Sequence, residues 1–242
     1  MILAKRVSLE PAFVLHTRPF KETSLLIDIF TKSLGRINLV AKGAKKPKSS
    51  LRTVLTPCSM FSISFSGRGE LKNLNTCEIV EHYPLKSPLT LTAIVYVNEL
   101  LMKSTERDDP HDKIFKQYQL VCEGLSKDVD QARTEVLLRE FELVLLQELG
   151  YGIDLRFDSM TGKKIKSEQT YSFEPNLGFV QQANNPEKNN DYVFSGQDII
   201  NLSEGDLTEH RTRKASKTIM RLALDFHLGN RSLNIRKYLS SN

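Results

Sequence analysis

Five cations, Lys42, Lys45, Lys46, Lys48 and Arg52, fall within one short stretch of the segment GRINLVAKGAKKPKSSLR, residues 35–52. Glycine, proline and serine are interspersed among them, so the segment bends. The chemistry open to it is electrostatic: each ammonium or guanidinium that neutralises a charge on a polyanion releases a condensed counterion, and the affinity so gained is sensitive to salt. Arg18, Lys21, Arg36 and Arg68 would extend the same track. Phe20, Phe30, Phe61 and Phe65 would offer rings for stacking, although Phe61, Ile63 and Phe65 alternate with Ser62, Ser64 and Ser66 and so are read as core. The plainer reading of the lysine-rich stretch is a solvated loop.

A second basic set, Arg213, Lys214, Lys217 and Arg221 with Arg211 beside it, lies near the C-terminus. On a helix, Arg213, Lys217 and Arg221 would share one face, making a second surface for phosphates or an ordinary solvated face. Between the two sets the sign reverses. Residues 1–80 hold 13 Lys and Arg against 5 Asp and Glu, residues 81–155 hold 8 against 14, and residues 156–242 hold 13 against 10. Such segregation speaks of partners rather than of folding. Two separated cationic surfaces would let one molecule hold two nucleic-acid strands, which strand annealing physically requires. In the acidic middle, Lys113, Lys116, Arg133 and Arg139 would rim a helix groove suited to an acidic, apolar peptide; the middle read as plain scaffold is the alternative.

Nothing points to catalysis. The chain lacks GxSxG, HExxH and the P-loop pattern, and its five histidines are scattered. Cys58, Cys77 and Cys122 are widely spaced and form neither a CxxC pair nor a disulfide framework. No stretch approaches the apolar length of a membrane helix and no leader is evident, so the expectation is a cytoplasmic, nucleoid-associated protein that is not an enzyme and needs no cofactor.

The elements that must position these residues change period along the chain. Residues 9–80 read as five short strands, including AFVLHT, SLLIDIFT, RINLVAKG, FSISFS and TCEIV, and short strands are best protected by closure into a small barrel of the OB type. After Pro84 and Pro88 the spacing becomes helical. Leu89, Ala93, Val97 and Leu101 mark a first helix. A second, with Asp109 as cap and Pro110 opening it, presents Ile114, Phe115, Tyr118, Val121, Cys122 and Leu125. A third presents Val136, Leu137, Phe141, Val144, Leu145 and Leu149 and stops at Gly150, the three forming a bundle. Residues 156–192 are turn-rich around two strands, TYSF and GFVQ. Ser195 and Asp198 open a short helix, and a longer one with the stripe Ala215, Ile219, Leu222, Ala223 and Phe226 ends at Gly229, before a final amphipathic turn through Leu233 and Tyr238. The fold class is therefore α+β: an N-terminal OB-type barrel in residues 1–82, then a helical bundle domain in 83–242 with a small irregular insert at 156–192.

Four stretches, AFVLHTRPFKETSLLIDIFTKSLGRINLVAKGAKKPKSSLRTVLTPCSMFSI, IVYVNELLMKSTERDDPHDKIFKQYQ, LLREFELVLLQELGYGIDL and ALDFHLGNRSLNIRKYL, make the chain resemble the bacterial RecO family of recombination mediators over nearly its full length. The resemblance implies binding of single- and double-stranded DNA, annealing of complementary strands, and cooperation with RecR to load RecA recombinase onto DNA coated by single-stranded DNA-binding protein. It further implies docking of that coating protein's acidic C-terminal tail on the helical part, for which Arg139 and then Arg133 are the first choices. Many family members hold zinc through two Cys pairs in the insert; here Asp158 and Thr161 stand where the first pair would be, and GFVQQANN lacks the second, so no zinc is expected. An RNA-binding OB protein or a general single-strand chaperone is the competing reading.

Overall fold

The computed structural model describes residues 6–47, 49, 51, 55–182, 192–229 and 233–235. They form two compact units, Met1–Asp128 with Leu233–Asn242, and Val129–Ser232. The first unit holds the barrel strands and two helices, and a third helix falls in the other unit.

The first unit begins with five strands, β1 (Arg6–Phe20), β2 (Ser24–Thr31), β3 (Gly35–Ala41), β4 (Ser59–Ser66) and β5 (Leu71–His82). They close in the order β1-β2-β3-β5-β4, with β3 and β5 parallel and the other pairs antiparallel, which is the ring of an OB-type barrel. The long β1 serves both β2 and β4 because irregularities between Val7 and Glu10 and between Val14 and His16 bend it. Alternation then divides its neighbours. Ala12, Val14, Ile27, Ile29, Ile37, Leu39, Phe61, Ile63 and Phe65 fill the interior, so Phe61 and Phe65 are core as read.

The opposite face of β1 and β2 is also apolar, and helices cover it. Phe13 and Phe30 meet Phe115 and Tyr118 with ring centroids 4.8 to 6.4 Å apart. Those two belong to α2 (Asp112–Ser126), which follows α1 (Pro88–Ser104). A buried polar chain fixes the docking: the Tyr118 hydroxyl donates to Asn98 Oδ1 at 2.7 Å, and Asn98 Nδ2 donates to the Leu15 carbonyl at 2.9 Å. Helix α2 starts later than its Asp-Asp-Pro signal suggests. His111 is its N-cap, without a side-chain capping bond, and Asp109 pairs with that imidazole at 3.3 Å instead. Glu99 accepts from the backbone N–H groups of Asn234 and Ile235 at 2.8 and 2.9 Å, holding these two residues to this unit. Burial raises the Glu99 pKa, but Lys103 and those two amides outweigh it and hold the carboxyl below the usual range.

Gly35 opens β3 with φ of 69°, and a Cβ there would stand 2.0 Å from the Asp109 carbonyl oxygen. Gly35→Ala is expected to cost about 2 kcal/mol or more, since backbone must shift and a left-handed conformation must carry a side chain; a thermal melt within a degree of the parent would contradict this.

In the second unit α3 (Gln131–Glu148) packs against α5 (His210–Leu228), which follows the short α4 (Gly196–Glu204). The insert is more regular than its composition suggests. The expected strands form as β6 (Thr170–Glu174) and β7 (Gly178–Gln181), and an unforeseen β8 (Val193–Ser195) completes a sheet of order β7-β6-β8. Ser195 caps α4 by accepting from Gln197 N–H, while Asp198 turns to Arg211 and Thr212 rather than back to the cap. Phe226, read as part of the α5 core stripe, is 54% exposed, because the packed side runs through Thr212, Ser216, Ile219, Met220, Ala223 and Leu224.

Asp158 anchors the turn before β6. Its carboxylate is almost wholly buried and accepts from Met160 N–H, Thr161 N–H, the Thr161 hydroxyl and Gln181 N–H at 2.6 to 3.0 Å. Burial pushes its pKa up, and the donors, led by Gln181 and Thr161, outweigh that and hold it below the ordinary carboxylate range. This donor set does not fit a four-coordinate zinc: both carboxylate oxygens are engaged with N–H and O–H groups, and the Thr161 hydroxyl donates inward.

Candidate nucleic-acid interface

The chain leaves β3 at Ala41, which pairs with Leu25 at the start of β2, so Lys42 emerges beside the β1–β2 turn. Gly43, with φ of 71°, reverses the path. Ala44 is fully buried in the barrel core and acts as a plug, which drives its neighbours outward. Lys45 is then pinned to the turn: its N–H donates to the Thr23 carbonyl at 2.9 Å, and its ammonium donates to the Lys21 carbonyl at 3.4 Å. Lys21, Lys42, Lys45 and Lys46 are all exposed, and no ion pair engages them among the described residues. Four cations without carboxylate partners at one barrel end form a concentrated positive field.

Arg18 lies on the outer face of β1 opposite Leu26, exposed, three residues before Lys21. That is roughly 10 Å along a strand, so it can continue the patch. Lys48 and Arg52 lie outside the described residues. Arg36 does not join: it sits at the other end of β3, half-buried, and its guanidinium donates to the Thr105 carbonyl at 2.8 Å. It ties the barrel to the end of α1. Of the four rings considered for stacking, Phe30, Phe61 and Phe65 are buried, and only Phe20 reaches the surface, with the Lys21 ammonium 5.5 Å from its centroid. The residue that makes this geometry, Ala44, was not singled out from sequence; the one apolar side chain inside a run of cations was the available signal.

On α5 the cationic face differs by one residue from the expected one. Lys214, Lys217 and Arg221 are exposed at spacings of three and four. Arg213 is turned into the second unit, donating to the Leu207 and Thr208 carbonyls and pairing with Glu135 at 3.4 Å. Arg221 pairs with Asp225 at 3.7 Å and Arg211 with Asp198 at 2.8 Å, whereas Lys214 and Lys217 engage in no ion pair among the described residues. A surface ion pair such as Arg221 with Asp225 is worth little and exchanges readily for a phosphate. Lys214 and Arg211 also rim a shallow basin of about 330 Å³ floored by Phe194 and Ala215.

The residues expected to rim a peptide groove are divided. Lys113 and Lys116 are exposed on α2 in the first unit, Lys116 pairing with Asp112 at 2.6 Å. Arg133 and Arg139 are on α3 in the second. Arg133 is exposed, 3.9 Å from Glu140. Arg139 is turned inward, 6% exposed, and its guanidinium donates to Glu142 Oε1 at 2.5 Å. The sequence suggested a free guanidinium there because the pairing partner sits three residues on, inside the apolar FEL run.

Among the described residues no three His, Cys, Asp or Glu side chains gather as a metal site, and no helix is long and apolar enough to cross a membrane.

Comparison with known proteins agrees over almost the whole chain. Residues 6–83 match the family model described as Recombination protein O N terminal, and residues 85–236 match Recombination protein O C terminal. A DNA repair protein RecO of Nitrosospira multiformis is 38% identical over 238 residues, covering 97% of this chain and 96% of the relative. Another, from an Azoarcus species, is 37% identical over 242 residues, covering 99% and 98%. One from Cupriavidus pinatubonensis is 37% identical over 234 residues, covering 97% and 79%. With both halves matched, and relatives of this identity spanning nearly its full length, the chain belongs to the RecO family of DNA repair proteins.

Proposed function

We propose that this protein is a DNA-binding recombination mediator that acts by holding strands rather than by catalysis. Its barrel grips single-stranded DNA through Lys21, Lys42, Lys45 and Lys46, with Arg18 along the strand. The second unit adds Lys214, Lys217 and Arg221. With cations on each unit, complementary strands are neutralised and held together, so that their mutual repulsion no longer opposes pairing and annealing follows. Double-stranded DNA is held by the same phosphate contacts.

The observation that carries this reading is the plugged lysine loop: Ala44 in the core and Lys45 pinned to the β1–β2 turn leave four cations exposed, without carboxylate partners among the described residues. A loop that served only solubility would need no such anchoring.

In the cell, at the nucleoid in the cytoplasm, the protein works with RecR to load RecA recombinase onto DNA coated with single-stranded DNA-binding protein. The acidic tail of that coating protein docks on exposed cations of one helix, for which Lys113 and Lys116 of α2 are the accessible neighbouring pair in the set proposed from sequence.

Titrating labelled single-stranded DNA and RNA of one sequence at several salt concentrations tests the proposal. Affinity for DNA should fall steeply as salt rises. RNA bound more tightly than DNA under every condition would favour the RNA-binding reading, and binding indifferent to salt would leave an adaptor that works through its helices.

A further inference from the structure

We propose that the hairpin at the start of the insert, residues 156–166, binds the phosphate backbone of a nucleic-acid strand through Lys164 and Lys166, and that it joins the cationic side of α5 in one track on the second unit. This rests on the reading of the chain as DNA-binding and extends the second surface of that reading to an element that sequence leaves without a role.

The hairpin is held in shape by its backbone. Asp158 N–H donates to the Lys163 carbonyl at 2.8 Å and Ile165 N–H to the Arg156 carbonyl at 2.9 Å, which sets Phe157 directly opposite Lys164. Alternation then sorts the side chains. Asp158 and Ile165 are buried, whereas Lys164 and Lys166, on either side of Ile165, are exposed. Two residues apart on one side of extended chain, they stand roughly 6–7 Å from each other. Lys163 is exposed beside them, and none of the three lysines engages in an ion pair among the described residues. Arg156 holds its guanidinium 5.5 Å from the centroid of the Phe157 ring, next to Lys164, while pairing with Asp154 at 3.6 Å. The one acidic residue of 156–166 is Asp158, and its carboxylate is committed to four hydrogen bonds inside the turn. Like charges gathered on a fixed scaffold repel, and solubility is served as well by mixed signs, so the arrangement gains when a polyanion lies across it.

Lys166 is also where the hairpin meets the helices. Its N–H donates to the buried Tyr171 hydroxyl at 2.9 Å, and its carbonyl packs against Gly196 so closely that no Cβ would fit there. Gly196 opens α4. Asp198, two residues on, pairs with Arg211 at 2.8 Å and leaves that side chain 65% exposed. On α5, Arg211, Lys214, Lys217 and Arg221 fall within about 120° of arc, so the four share one side of the helix. Arg211 and Lys214 also line the basin whose other wall is Phe194, Ser195 and Asp198 at the start of α4. From Lys166, then, the first turn of α4 leads to Arg211, and α5 carries the positive charge on to Lys217. Cations spaced along extended backbone and then along a helix suit the repeating charge of a sugar-phosphate chain, which such contacts hold without regard to base sequence.

A labelled thymidine oligomer titrated against the full chain over a salt series tests this. Lys164→Ala with Lys166→Ala should weaken binding at least about fivefold near 0.1 M salt and make the slope of log affinity against log salt shallower by about 1.4, at about 0.7 for each phosphate contact on a single strand. Lys164→Arg with Lys166→Arg should keep both the affinity and the slope, and denaturant unfolding of the alanine variant should match the parent, since exposed charges contribute little to stability. Lys214→Ala with Lys217→Ala should weaken the same oligomer. A hairpin variant with the parent's affinity and slope, beside a weakened α5 variant, would overturn the hairpin site and leave the α5 surface standing. Parental binding in both would place the failure in the reading of the second unit as a DNA surface and overturn the track with it. Weakened binding of an acidic peptide with DNA binding unaltered would assign the hairpin to a protein partner and refute the proposal.

Discussion

Arg139→Ala is expected to lower the stability of the second unit by about 3–5 kcal/mol, although the substitution removes a surface-type residue from the middle of a helix. Glu142 is fully buried one turn away, and its Oε1 accepts from the Arg139 guanidinium at 2.5 Å. Taking away the guanidinium leaves that carboxylate buried beside Phe141 and Leu145 without its Arg139 cation, at a desolvation cost. The compensated variant makes the argument specific. Arg139→Met with Glu142→Leu replaces the pair by apolar groups of similar volume and should regain most of the loss, because a buried ion pair repays its own desolvation poorly. Denaturant unfolding of the single and double variants measures both. An Arg139 whose work is to meet a partner's acidic tail would behave differently: the alanine variant would unfold like the parent and lose only the peptide. The stability measurement therefore decides between the inward guanidinium and the tail contact suggested from sequence.

Asp158→Ala should cost about 2–4 kcal/mol, through the loss of a carboxylate that takes four hydrogen bonds and joins the turn at residues 158–161 to β7. Asp158→Asn is milder in kind. An amide oxygen can still accept from Met160 and Thr161, but an NH2 group would face Gln181 N–H, so the link to β7 is the part broken. The dependence on pH follows from the direction of the shift. The folded carboxyl is held below the ordinary Asp value of about 3.9, so its stabilisation is complete above the unfolded value and is lost as pH falls through the folded one. The parent should therefore lose part of its advantage over Asp158→Asn in acid and keep it at neutral pH. An advantage that grew on acidification would contradict the assignment, as would an Asp158→Ala variant as stable as the parent.

The barrel was legible because its strands are marked twice, by alternation and by turn residues. SLLIDIFT is β2 to the residue, and Phe61, Ile63 and Phe65 face inward as the intervening serines require. Helices α1 to α3 were legible from their apolar stripes, but a stripe says which face is buried and not what buries it: Phe115 and Tyr118 of α2 cover the outer face of the barrel. The extra strand β8 escaped because three residues carry no period. Charged residues were the hardest to place. Arg36, Arg139 and Arg213 carry the same formal charge as Lys45 and Lys217, yet each guanidinium is committed to a carbonyl or carboxylate inside its unit. Arginine's planar fork finds such partners more readily than the compact, strongly hydrated lysine ammonium, and the cations left exposed are mostly lysines. Phe226 is the converse case, an apolar residue at the edge of a correct stripe that the packing does not reach.

In the proposed function the lysines at the β1–β2 turn and in the loop after β3 meet phosphate. Fluorescence anisotropy with labelled single-stranded DNA, for the parent and for the variant with Lys42, Lys45 and Lys46 all replaced by alanine, measures this across a salt series. The variant should fold like the parent, since exposed charges contribute little to stability, bind at least about tenfold more weakly near 0.1 M salt, and show a slope of log affinity against log salt shallower by about 2. A folded variant with the parent's affinity and slope would show that these cations do not contact DNA.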